Sequence, residues 1–318
     1  MQRAHEYAVR LFLAWLNERY GRAFGLSSVD GSLFEATEPE AGRLALYVIE
    51  LFEASEAWQQ RAEALANRLN DSRPGSYLLW VPPGGDLPDG EPDESEWVRR
   101  IVLAASKLAS GRVGEARLPV RMALGKIRDE GGYASVTGGL GRHWTTIAEK
   151  LSGSYFLDSR GLNRFTRNEE ERETLYDHIG MLGQGLAVGD ITEFEHEDAW
   201  SIQRLPRGAA GTDMTDGWAI TGCPTGFDAN DGSAVRRVLR RRLAEATESL
   251  KGVRDAAKGI VLIGAYDYMS GENAGPSLRG FDPSLTAPFD IIGLIADAEV
   301  KPLRMSRGLS FTDVAAAP

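Results

Sequence analysis

Apolar residues recur along this chain at helical spacing, in alternation and in short unbroken runs, and each pattern predicts a different element. Ala8, Leu11, Phe12 and Trp15 stand at i, i+3, i+4 and i+7, which predicts an amphipathic docking helix over residues 1–16. Residues 21–27 end that helix, residues 28–31 read as a turn, and residues 32–36 as a short strand. The unbroken run Leu44, Ala45, Leu46, Tyr47, Val48 and Ile49 predicts a buried strand, forming a hairpin with 32–36 across the polar loop 37–42. Ser55 stands where an N-cap belongs, before a helix reaching residue 69 on which Trp58, Leu65 and Leu69 fall near helical spacing. Arg73, Pro74 and Gly75 break it, and residues 76–81 predict a further strand stopped by Pro82 and Pro83. Strand, helix and strand predict a βαβ crossover, and α/β sheets hold ligands at strand C-terminal ends. Glu50, which ends the first of these strands, is therefore the leading candidate for chemistry.

Beyond the Pro- and Gly-rich loop 82–92, a linker or a lid, Trp97, Ile101, Ala105 and Leu108 mark a helix over 94–109. The middle of the chain reads as more antiparallel. Residues 115–127 and 133–137 predict strands joined in a hairpin at Asp129, Glu130, Gly131 and Gly132. Helices are predicted over 144–151 and 168–186, and short strands over 191–194, 199–205 and 218–223. The last third returns to a long helix over 233–250 and buried strands over 259–264 and 291–295. The expectation is a mixed α/β protein with three regions: an α/β core at 1–110, an α+β region at 111–228, and an α/β region at 229–318 packing on the first.

Composition narrows the function classes. The chain has 318 residues and a formal net charge of -10, so nucleic acid needs a local basic patch to bind. Cys223 is the single cysteine, which excludes an intrachain disulfide and a multi-cysteine zinc site and fits a reducing cytoplasm. No apolar run approaches the roughly 18 residues of a membrane span, and charge interrupts what would be a signal-peptide core. The expected location is cytoplasmic, without a membrane partner.

Carboxylates come first among the candidate sites. Glu6 on the opening helix, Asp30 and Glu35 on the early hairpin, and Glu50 at the strand end are the catalytic candidates. Asp30, Glu35 and Glu50 are the candidate ligands for Mg²⁺ or Mn²⁺, hard cations that prefer oxygen and activate water beside a phosphodiester. The order helix with Glu, hairpin with Asp or Glu, strand with Glu, helix and strand resembles the core of the PD-(D/E)xK restriction-endonuclease-like superfamily over residues 1–81. The resemblance implies a nuclease-like sheet flanked by helices. It departs from the family at Phe52, where the family places a lysine two residues after the glutamate, and no lysine occurs before Lys107.

Further candidates carry anion-binding chemistry. Val235, Leu239, Leu243, Ala246 and Leu250 mark one helical face, with Arg236, Arg237, Arg240 and Arg241 on the other and Arg242 at its border. Guanidinium groups so grouped suit phosphate, although a solvated face paired with Glu245 and Glu248 has the same pattern. Thr137, Gly138, Gly139, Leu140 and Gly141 lead into a helix beside Arg142 and His143, where a glycine turn either presents N–H groups to an anion or merely turns. The spacing matches neither a dinucleotide fingerprint nor a P-loop. The acids around His196 read as one face of an exposed strand or as metal ligands, with no zinc-hydrolase spacing and no serine-hydrolase elbow.

The resemblance, with its lysine missing, implies a catalytically degenerate nuclease-like protein, serving as a structural or nucleic-acid-associated component of a larger assembly with protein partners. By analogy with the superfamily, that assembly belongs to prokaryotic antiviral defence or DNA processing. Two alternatives stay open: a divalent-metal nuclease using Glu50 with Asp30 or Glu35, and a protein-interaction module that binds no nucleic acid.

Overall fold

In a computed structural model the described residues are 2–39, 42–52, 54–206, 216–222, 232–264, 283–306 and 309; Cys223 lies outside them. In chain order the elements are α1 (Gln2–Tyr20), β1 (Gly25–Asp30), β2 (Leu33–Glu38), β3 (Gly42–Glu50), α2 (Glu56–Ser72), β4 (Tyr77–Val81), α3 (Asp93–Ser106), β5 (Val113–Arg128) and β6 (Tyr133–Gly138). They continue with α4 (Trp144–Glu149), β7 (Ser154–Ser159), α5 (Glu169–Gln184), β8 (Ile191–Arg204), β9 (Trp218–Gly222) and α6 (Gly232–Lys251). The last are β10 (Ala257–Ile263), α7 (Pro283–Thr286), β11 (Ile291–Ala296) and β12 (Glu299–Met305). The chain is a mixed α/β protein, its strands forming mixed sheets flanked by helices. It divides into two compact units, one of residues 1–114 with 201–318 and one of residues 115–200.

The first unit holds a six-stranded sheet in the order β1-β2-β3-β10-β11-β12. β1, β2 and β3 form an antiparallel meander, β3, β10 and β11 run parallel, and β12 returns antiparallel. Parallel strands are covered on both faces, which is why β10 and β11 read as continuous apolar runs; Ile260, Val261, Ile263, Ile291 and Ile295 are fully buried. α1 packs Phe12 where a side chain at Gly293 would come within 2.5 Å of its ring, so that glycine sets the approach of helix to sheet. From α6, Leu239, Leu243, Ala246 and Leu250 enter the same core. Full burial of one leucine stabilises by about 1.5–3 kcal/mol.

The expected crossover through β3, α2 and β4 does not form within one sheet. The parallel neighbour of β3 is β10, reached through α6, with Leu46 beside Gly259 and Glu50 beside Ile263. β4 instead pairs parallel with β9 and antiparallel with residues 201–204 of β8. Tyr77 stacks on Trp218 at 4.5 Å, and the indole Nε1 of Trp218 donates to the Arg73 carbonyl at 2.8 Å. Those pairings place β9 and the end of β8 in the first unit, whereas the sequence grouped them with the middle region. An apolar run announces a buried strand, but its neighbours are chosen by residues more than a hundred positions away.

In the second unit β7 lies between β5, to which it is antiparallel, and β6, to which it is parallel. The expected hairpin of β5 with β6 is therefore corrected: the glycine turn after β5 packs on Gly153, whose carbonyl accepts from Gly132 N and Tyr133 N. Tyr155 and Leu157 of β7 take the place between them and join Leu140, Ile147, Leu175 and Ile179 in this unit's core. β1, β7 and β12 are strands that the sequence pattern does not announce.

Candidate functional site

Glu50 ends β3, where Leu51 N still donates to Ile263 O at 2.9 Å and holds the strand end against β10. Its Oε1 stands 3.1 Å from Nε2 of His5 on α1, with both side chains largely buried. Strand register places the other acids elsewhere. Glu35 lies opposite Ala45, and Asp30 opposite Leu33, which lies opposite Tyr47. Directly paired residues share a sheet face and successive residues alternate, so Asp30 and Glu35 project from the face opposite Glu50. Glu35 is also five positions along β3 from Glu50, about 16 Å. Both its carboxylate oxygens accept from Arg43 Nη2 at 3.1 Å. Asp30, Glu35 and Glu50 do not meet, and among the described residues no three His, Cys, Asp or Glu side chains group to hold a metal.

Glu6 and Glu50 do come together. Both line a cavity of about 360 Å³ bounded by α1, the end of β3, α2 and β9, whose polar lining includes Arg3, Gln59, Glu63, Asn67 and Thr221. Glu6 accepts from Nε and Nη2 of Arg10 at 3.0 and 2.8 Å. Arg3 Nη1 donates to Trp218 O at 3.2 Å, and Tyr7 Oη donates to Gly217 O at 2.8 Å. Burial pushes the Tyr7 phenol above its ordinary range, so it stays a neutral donor. α2 is held at its start by Ser55, which accepts from Trp58 N as the sequence predicted. Gln59, Glu63 and Asn67 then point along one stripe at i, i+4 and i+8, with Ala62 and Ala66 between them leaving room. Sequence reasoning missed Arg3, Trp58, Glu63, Asn67 and Thr221, and read Glu50 without its partner His5. The Gln, Glu, Asn stripe flanked by alanines is the signal that was legible.

Two residues that line this cavity each carry a polar atom that is sealed from solvent and unanswered. Thr221 is 4% exposed, and its Oγ1 has no hydrogen-bond partner. The indole Nε1 of Trp58 is likewise buried without a partner. Glu50 also borders a second cavity with His5, Tyr47 and Arg242.

The arginine candidates occupy exposed positions on α6: Arg236, Arg237, Arg240 and Arg241 face solvent while Leu239, Leu243, Ala246 and Leu250 are buried. Glu245 sits 2.9 Å from Arg242 and 3.9 Å from Arg241. Arg142 belongs to the second unit, at the glycine turn. That turn is closed on itself. Gly139 N donates to Ser159 O at 3.2 Å, and Leu140 N to Ser159 Oγ at 3.0 Å. A side chain at Gly138 would meet the Ser159 and Arg160 backbone within 2.4 Å. The glycines answer to close backbone approach, and these two N–H groups are spent internally. His143 Nδ1 lies 2.9 Å from Tyr176 Oη, and burial, with Arg172 and Arg142 nearby, holds its pKa below the ordinary value.

Around His196, Glu193, Glu195 and Glu197 face solvent while Phe194 and Asp198 are buried. Burial also lowers the His196 pKa. No protein-family model, curated protein or solved structure matches this chain.

Proposed function

We propose that this chain is a nucleic-acid-associated component of a larger assembly, with a nuclease-like core that does not hydrolyse what it binds. The observation that carries the reading is the exposed arginine face of α6 in a chain of net charge -10. Arg236 and Arg240, and Arg237 and Arg241, stand four residues apart, and each like-charged pair costs a helix about 0.2–0.5 kcal/mol. Glu248 meanwhile lies in the last turn, where the helix dipole favours cations. Exposed guanidinium groups on successive turns of one helix face suit bidentate contacts to phosphate.

The topology supports a restriction-endonuclease-like core. α1, the meander β1-β2-β3, α6 and β10 follow the order that the resemblance implies, with α6 and β10 where α2 and β4 were expected. Phe52 at the position of the family's lysine, and a sheet face between Glu50 and the pair Asp30 and Glu35, support binding without hydrolysis.

Fluorescence anisotropy with labelled DNA and RNA tests the proposal. Replacing Arg236, Arg240 and Arg241 by glutamate abolishes binding, and single replacements each reduce the salt slope by about one. Unchanged affinity in the triple variant makes the face a solvated surface or a protein contact. With Mg²⁺ or Mn²⁺ present, neither single- nor double-stranded nucleic acid is cut. Cleavage lost in Glu50→Ala would move the reading to an enzyme, with Lys107, Lys126 and Lys258 the first candidates for the base.

A further inference from the structure

We infer that the second cavity at Glu50, at the carboxyl end of β3, holds one unpaired guanine base of a single strand whose phosphates lie along α6. The inference deepens the nucleic-acid reading; it rests on that reading for the strand but not for the base. Three observations carry it. The first is place. The cavity encloses about 360 Å³, in the range of small-molecule sites, and lies where β3 and its parallel neighbour β10 end, with Glu50 opposite Ile263. Arg242, at the border of the arginine face of α6, lines it together with His5, Ser32, Tyr47, Glu50 and Gln59. The arginine face and the cavity are thus continuous through one side chain, and all of these residues belong to the first unit.

The second observation is a pair of unspent acceptors. Glu50 Oε1 is bonded to His5 Nε2 at 3.1 Å, which fixes the carboxylate and leaves Oε2 without a partner among the described residues. Gln59 Nε2 donates to Ala54 O at 3.0 Å, which leaves Gln59 Oε1 in the same position. Neither oxygen is sealed from solvent: the Glu50 side chain keeps 16% exposure, and Gln59 is half-buried. The third is charge. Glu50 has His5 beside it, and Arg242 Nη1 donates to Glu245 at 2.9 Å, so each charge in the lining has an immediate partner. Such a lining suits a neutral group better than an ion. A flat neutral ring laid against Tyr47 and donating to two acceptors meets these demands. Among the common bases only guanine presents two adjacent N–H donors, at N1 and N2, on its pairing edge. Thymine and uracil set carbonyls on both sides of one N–H, and Glu50 repels them. Adenine and cytosine set one amino group beside a bare ring nitrogen. The edge is read only when unpaired, so the strand is single. Arg242 keeps N–H groups beyond the one on Glu245 for the adjoining phosphate.

The test uses the whole chain. Labelled oligothymidylate, unmodified or with one central nucleotide changed to dG, dA or dC, is titrated by fluorescence anisotropy, and guanosine and thymidine monophosphates by calorimetry. The dG strand binds about tenfold more tightly than the unmodified one, the scale of one good base contact, and pairing it with its complement removes the preference. Guanosine monophosphate titrates to a single site, and thymidine monophosphate does not. Glu50→Gln and Gln59→Leu each bring the ratio of dG to dT affinity close to unity, and Tyr47→Ala weakens guanosine monophosphate several-fold. Equal affinity for the dG and unmodified strands, or a preference kept in both Glu50→Gln and Gln59→Leu, overturns the inference and leaves the α6 reading standing. Tighter binding of the dA or dC strand than of the dG strand overturns the choice of base. Guanosine monophosphate held at a site that Glu50→Gln weakens, with no strand bound, upholds the base site and overturns the α6 reading. Binding of neither overturns both.

Discussion

At the glycine turn of the second unit, Ser159 is fully buried, its Oγ accepting from Leu140 N and donating to Thr137 O at 2.5 Å. In the first unit, Thr221 is also buried, and its hydroxyl has no hydrogen-bond partner. The carboxylates divide in the same way. Asp198 is saturated: Asn163 N and Nδ2, Arg164 N and Trp200 Nε1 all donate to it, at 3.1, 3.2, 2.6 and 2.8 Å. Glu50 has His5 and open space. In sequence the glycine turn reads either as an anion site or as a plain turn, whereas Trp58 and Thr221 carry no motif. Hydrogen-bond completion decides for the plain turn, whose N–H groups are spent on Ser159.

The largest test of this contrast is Asp198→Ala, which strands four donors in the second unit. It is expected to cost about 3–5 kcal/mol in urea unfolding, against about 1 kcal/mol or less for Glu50→Gln, whose amide oxygen still accepts from His5. Equal costs would erase the distinction between the two carboxylates. Ser159→Ala comes next, at about 1–3 kcal/mol, since Leu140 N–H and Thr137 C=O lose their shared partner.

Acidification probes the second unit further. His143 and His196 have folded pKa values below the ordinary 6.5, through burial first. The unfolded chain then binds more protons, so stability is full above pH 6.5 and falls as pH drops towards the folded values. Asp198 acts in the opposite sense: desolvation raises its folded pKa above 3.8, so its contribution is full below 3.8 and fades as pH rises through the folded value. Melting temperature should decline from pH 6.5 downward, and the decline should shrink in His196→Leu. A flat profile would mean that neither histidine pays for its burial. The smallest expected effect is Thr221→Val on the ligand-free protein, within about 0.5 kcal/mol of wild type. A loss comparable to that of Ser159→Ala would show that Thr221 is satisfied after all.

Local pattern was enough for most helices. Ser55 caps α2, Asn168 caps α5 with its side chain accepting from Glu170 N, and the apolar stripe of α6 is the buried one. The alternation over 193–197 likewise gives a strand with Glu193, Glu195 and Glu197 outward, but Asp198, which the sequence grouped with those acids, is buried. These features depend on neighbours three or four residues away along a helix, or two along a strand, and the chain carries that information in order.

The sequence by itself determined a mixed α/β chain, the amphipathic α1 and α6, the β2–β3 hairpin, and Glu50 at a strand end. Tertiary structure alone decided that β10, not β4, lies beside β3, that β7 separates β5 from β6, and that Asp30 and Glu35 face away from Glu50. It also decided that Arg3, Trp58, Glu63 and Thr221 share one cavity with Glu6 and Glu50. The physical reason is the reach of the forces involved. Capping and periodicity act within a turn or a strand, so they are written locally, whereas strand partnership and hydrogen-bond completion join residues as far apart as Arg3 and Trp218. A one-residue change of register would exchange the faces of β2 and bring Glu35 to the side of Glu50, and only the packed sheet fixes that register.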